Sequence, residues 1–155
     1  MPQKCTILCP SDEPRQVLAV LRDLLQDGAD ILVSGNDADW STIQIKTPAA
    51  SLTLNREIQH EPGDRFSRMV LGMHNYFRVV KTPMEATQSD VLSRVANMAM
   101  AIGVVAEPEL VEEAHHHDCI FGIAAALNAI IWTGNAVINA DGKMILDADG
   151  NSDVA

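Results

Sequence analysis

The spacing of apolar residues divides the first half of the chain into a strand, a helix and three further strands. Cys5–Cys9 reads as a strand. The helix after it runs from Pro14 to Asp27, with Val17, Leu18, Leu21, Leu24 and Leu25 on one stripe. Ser11 and Asp12 are candidate N-caps, Glu13 adds a carboxylate to the positive helix end, and Gly28 is the expected stop. Ile31-Leu32-Val33 is a short apolar run bounded by polar residues, the pattern of a buried strand. Thr42–Lys46 and Ser51–Asn55 alternate, which predicts strands with one face in water, and Pro48 separates them.

After Pro62 the period changes. Phe66, Met69, Val70, Met73, Phe77 and Val80 recur at helical spacing and give one apolar face. Thr82-Pro83 ends this helix, and Ser89 or Asp90 is expected to cap the next, which carries Val91, Leu92, Val95, Met98 and Ala99. Ala101–Ala106 reads as a strand. A helix apolar on nearly all sides then extends to Trp132, which predicts a central, buried position. Ala136–Asn139 and Lys143–Asp147 flank Asp141-Gly142, the strongest hairpin signal in the chain, and Asp149-Gly150 closes the last strand.

Read together, these elements form two similar modules. Residues 5–58 give β-α-β-β-β, residues 101–147 give β-α-β-β, and two helices over residues 63–100 connect them. The predicted class is α+β, a mostly antiparallel sheet with helices packed on it, in one domain spanning residues 1–155. The pattern leaves open whether the modules share one sheet or form two. The element order is similar to the paired β-α-β-β-β modules of the glyoxalase and extradiol dioxygenase superfamily. That resemblance is one of element order: the two middle helices fall outside it, and no matching metal-ligand motif accompanies it.

Composition narrows the classes of function. The formal net charge is −10, and residues 95–155 carry nine acidic side chains against one basic. Such a surface repels a polyanion, so nucleic acid is not an expected partner. No apolar run approaches the roughly 18 residues of a membrane span, and the N-terminus lacks a secretory pattern, so a soluble, cytoplasmic protein is expected. Three cysteines argue against a disulfide framework. On one strand Cys5 and Cys9 lie roughly 13 Å apart, too far to bridge.

Candidate chemistry concentrates at His115-His116-His117-Asp118-Cys119. On a helix, His115 shares a face with Asp118 and Cys119 and could offer N, O and S donors to zinc. In an extended segment, His115 and His117 point the same way. The metal candidates are therefore His115, His117, Asp118 and Cys119. Arg65 and Arg68 share a face of the first middle helix and could clamp a carboxylate or phosphate, with His74 on the same helix. Asp147–Asp153 superficially resembles a calcium loop but has its glycine in the wrong place and ends too soon, so it reads as an acidic turn. There is no nucleophile elbow and no phosphate-binding glycine motif.

These features favour a non-enzymatic domain that binds another protein or itself. Met69, Met73, Met98 and Met100 are candidate adaptable contacts. The alternative is a small metal-assisted enzyme, with its site at residues 115–119 between the modules.

Overall fold

The computed structural model describes residues 3–25, 30–48, 50–107 and 116–153. Its elements are β1 (Gln3–Cys9), α1 (Pro14–Leu25), β2 (Asp30–Asn36), β3 (Asp39–Lys46), β4 (Ser51–Ile58), α2 (Arg65–Arg78), α3 (Glu85–Ala96), β5 (Met100–Glu107), α4 (His116–Leu127), β6 (Ile130–Trp132), β7 (Ala136–Ile138) and β8 (Met144–Asp147). The fold is α+β, as the pattern predicts, and the strands form one continuous sheet in the order β2-β3-β4-β5-β1-β6-β7-β8. Among the described residues no helix is long and apolar enough to cross a membrane.

Every neighbouring pair in the sheet is antiparallel. β1 and β2 therefore point the same way, and so do β5 and β6. That makes α1 and α4 crossover helices between parallel strands. They pack on each other across one face of the sheet, with Gln16 at the start of α1 donating to the Ala126 carbonyl near the end of α4. The two crossovers leave strands of opposite direction and move opposite ways across the sheet, so they share one hand.

The module likeness is closer in chain order than expected, and different in space. Both copies are β-α-β-β-β, because the apolar helix of the second copy stops at Leu127 rather than Trp132. Asn128 turns into the left-handed region (φ 53°), and the Ala129 N–H reaches back to the Ala124 carbonyl at 2.8 Å, a helix-ending motif that asparagine tolerates. Ile130–Trp132 is thereby freed to pair with β1. In space, the first meander turns inward so that β4 meets β5, whereas the second runs outward from β1. Each copy's first strand thus completes the other copy's meander.

Two cores result. Ile7, Cys9, Ile43, Ile45, Leu52, Leu54, Ile102 and Val104 face α1 and α4. Leu8, Ala101, Ile130, Val137 and Leu146 face α2 and α3. No residue of β2, β3 or β4 belongs to this second core, so among the described residues that part of the sheet is covered on one face only.

Local differences from the pattern have physical causes. α1 starts with Pro14 at its first position, where a missing N–H costs nothing, and Asp12 turns to Arg56 instead of capping. α3 begins at Glu85, two residues after Pro83, and not at Ser89 or Asp90. α4 is not buried all round: Ala125 and Ala126 are exposed. The expected stop at Gly28 lies outside the described residues. The hairpin at Asp141-Gly142 forms, with Gly142 at φ 87° and the Asn139 N–H on the Lys143 carbonyl. Gly150 (φ 83°) lies against the Lys81 carbonyl, where a Cβ would collide, and its own carbonyl accepts from Thr82 Oγ1 at 2.7 Å. This contact docks the C-terminal turn onto the α2–α3 connection.

Candidate functional site

The first turn of α4 distributes the histidine cluster to different environments. His116 is wholly buried, and neither ring nitrogen has a hydrogen-bond partner. His117 is exposed and stacks on Phe121 at 6.2 Å. Asp118 is exposed, whereas Cys119 is wholly buried. His115 lies outside the described residues. Among the described residues no three His, Cys, Asp or Glu side chains gather closely enough to hold a metal ion.

Burial sets the protonation of this segment. The Cys119 thiol is pushed up to about 11, first by desolvation and then by the Asp118 charge, so it stays protonated and inert as a nucleophile. Cys5 and Cys9 are likewise raised, to about 11 and about 12, by burial. The His116 imidazole is held below its ordinary value by desolvation, with the His117 charge adding to it. A group whose native pKa is depressed contributes stability above its unfolded pKa and loses it as pH falls towards the native value. The protein is therefore expected to lose stability as pH falls below about 6.5. His116→Leu, which removes two unsatisfied nitrogens at similar volume, is expected to flatten that dependence without a loss at pH 8. Thermal unfolding of both proteins between pH 8 and pH 5 checks this, and parallel curves would refute it.

The α2 candidates do not converge. Arg65 is 85% exposed and pairs with Glu57 at 3.3 Å. Arg68 is exposed beside it, and His74 is half-buried. His74 lies nine residues beyond Arg65, half a turn around the helix. The start of α2 is held instead by Asp64, whose carboxylate accepts from the backbone N–H groups of Ser67, His60 and Glu61. Those bonds keep its pKa well below the usual carboxylate range. At the C-terminal turn, Asp147 Oδ1 accepts from the Asp149 and Asn151 N–H groups, so the acidic segment is a self-satisfied turn. The methionines pack inward. Met98 and Met100 are core residues, and Met69 and Met73 lie half-buried against the second core. They offer no adaptable surface patch.

Two features escape a reading by motif. The first is Arg56, whose side chain is only 7% exposed. Its Nε and Nη2 donate to Asp12, and its Nη1 donates to Asp39 and to the Trp40 carbonyl. This knot ties the β1–α1 turn to β3 and β4.

The second is β2. The run Ile31-Leu32-Val33, expected to be buried, lies at the open edge of the sheet, with Leu32 55% exposed and Ile31 and Val33 half-buried. Strand order decides this: β5 takes the place beside β4, so among the described residues β2 has only β3 as a neighbour. Among the described residues nothing bonds to the outer side of β2. The opposite edge differs. β8 is four residues long, and the tail closes over it, with the Asp153 N–H on the Met144 carbonyl at 2.8 Å. β2 is seven residues long, with no proline or lysine, and its bulge falls late, between Ser34 and Gly35. Natural edge strands are usually blunted by such devices.

Site and fold together define an α+β protein with a single antiparallel sheet, one protected edge and, among the described residues, one bare edge. Comparison with protein-family models, with curated proteins and with solved structures gave no match.

Proposed function

We propose that this chain is a non-enzymatic, self-associating domain that pairs with a second copy of itself through β2. The supporting observation is the mismatch at that strand: a sequence composed like an interior strand lies at an edge, with Leu32 exposed. The bulge after Ser34 confines regular pairing to residues 30–34. Antiparallel pairing about Leu32 sets Ile31 opposite Val33 and Asp30 opposite Ser34 of the second copy. The two Asp30 carboxylates are kept apart, and the two Leu32 side chains meet on the uncovered face. A two-fold arrangement of this kind is self-complementary and closes at the dimer. The net charge of −10 opposes it, so association should strengthen as salt screens the repulsion.

Leu32→Lys places a charged gatekeeper on the exposed side of the edge. The variant is expected to keep the wild-type circular dichroism and a stability within about 0.5 kcal/mol, because the side chain faces water in the monomer. Its mass by light scattering is expected to be that of a single chain at concentrations where the wild type is a dimer. A variant that dimerises as the wild type does would exclude β2 as the interface.

A further inference from the structure

Arg94 stands out among the cations. The chain has eleven lysines and arginines, and nine of them are exposed. Only Arg56 and Arg94 are partly withdrawn from water. Arg56 spends its donors on Asp12, Asp39 and a backbone carbonyl. Arg94, in a protein with 21 acidic side chains, makes no ion pair or hydrogen bond through its guanidinium among the described residues. Its place in the last turn of α3 suits the helix dipole but leaves its planar donor fork unmatched.

Arg94 lines a hollow of about 220 Å³ between the ends of α3 and α4. The floor is apolar: Leu8 of β1 and Ile130 of β6, directly paired in the sheet, are 2% and 1% exposed. The rim is polar. Asn97 commits its amide to the Ser93 carbonyl and hydroxyl oxygen, which leaves the Ser93 hydroxyl proton available to donate. The Asn128 side-chain amide has no bond among the described residues, and its backbone holds the left-handed turn that carries it to the rim. Among the described residues a guanidinium, an amide and a hydroxyl proton therefore stand unspent beside an apolar floor.

We propose that this hollow binds a carboxylate carried on a short apolar stem. The carboxylate would pair with the Arg94 fork, the strongest geometry available to that group, and the stem would lie over Leu8 and Ile130. The volume is below the roughly 300–1,000 Å³ of a drug-sized site, which favours a small acid or one chain end. Phosphate is disfavoured. Both α3 and α4 present their C-terminal, partially negative ends here, which repel a dianion more strongly than a monoanion. The site lies at β1 and β6, away from the β2 edge, so it stands or falls independently of self-association.

Nuclear magnetic resonance titration separates the outcomes. The probes are N-acetyl-leucine, a pentapeptide ending in leucine, the carboxamide of each, and inorganic phosphate. The acids are expected to shift the Asn97, Asn128 and Arg94 Nε–H signals, and the carboxamides to leave them in place. Binding of N-acetyl-leucine as well as the peptide identifies a free acid as sufficient. Binding of the peptide alone identifies a chain terminus. Arg94→Gln is expected to weaken the acids at least ten-fold with an otherwise unchanged spectrum, and Arg94→Lys to restore part of the affinity. Equal shifts by acids and carboxamides would overturn the proposal. So would binding of phosphate alone, or no shift by either acid up to about 10 mM, ten-fold beyond a millimolar site.

Discussion

Phe77→Ala is expected to cost about 3–5 kcal/mol, read as a lower midpoint in urea unfolding. Phe77 is wholly buried at the end of α2, and its ring meets those of Tyr76 and Trp132 edge-on, each at 5.1 Å between centroids. Tyr76 and Trp132 meet at the same distance, so the three rings form a closed triangle joining α2 to β6. Truncation removes the ring's transfer energy and two aromatic contacts, and leaves a cavity that the rigid sheet beneath cannot close. The surroundings are fixed from the other side as well. Gln88 of α3 donates to the Phe77 and Val80 carbonyls at 2.8 and 2.7 Å. Set against the 5–15 kcal/mol typical of a domain, this loss takes a large share of the total. A cost below about 1 kcal/mol would mean that the α2–α3 layer does not depend on this triangle.

Arg56→Ala is expected to cost about 2–3 kcal/mol, less than a sum over its bonds would give. Removal of a cation from a buried pair is most damaging when the partner charge stays buried. Here Asp12 and Asp39 are 36% and 79% exposed and can return to water, which discounts the loss. What does not return is the packing. Arg56 lies 6.0 Å over the wholly buried Trp40 ring, whose Nε1 donates to the Pro14 carbonyl at 2.9 Å. The β1–α1 turn, β3 and β4 are fastened at this one place. Arg56→Lys is expected to recover less than half of the loss, because an ammonium cannot engage Asp12 through two donors while bonding Asp39 and a carbonyl. Full recovery by lysine would reduce the knot to a charge effect.

The elements with a clear period were legible in the sequence. The Phe66–Val80 stripe gave α2, and the alternation from Thr42 to Asn55 gave β3 and β4 with their wet face. Asp141-Gly142 marked the β7–β8 hairpin. Legibility failed where the period vanished. From Ile120 to Trp132 nearly every position is apolar, so a helix and a following strand look alike, and only Asn128 marks the join. It failed again wherever strand order decides the outcome. Ile31-Leu32-Val33 has the composition of an interior strand, and only the insertion of β5 beside β4 sends it to the edge. The Arg56–Asp12 bond spans 44 residues, and the hollow at Arg94 joins β1, α3 and the α4–β6 turn. No local pattern announces contacts at such separations. The repeat itself was visible as element order, but the exchange of β1 and β5 between meanders is a fact of packing.

Self-association through β2 is most directly tested by sedimentation equilibrium of the intact wild-type chain from about 1 to 100 µM at two salt concentrations. The predicted result is a mass that reaches twice the 16.8 kDa of one chain and does so at lower concentration in higher salt. A mass of 16.8 kDa at every concentration and both salts would contradict the account.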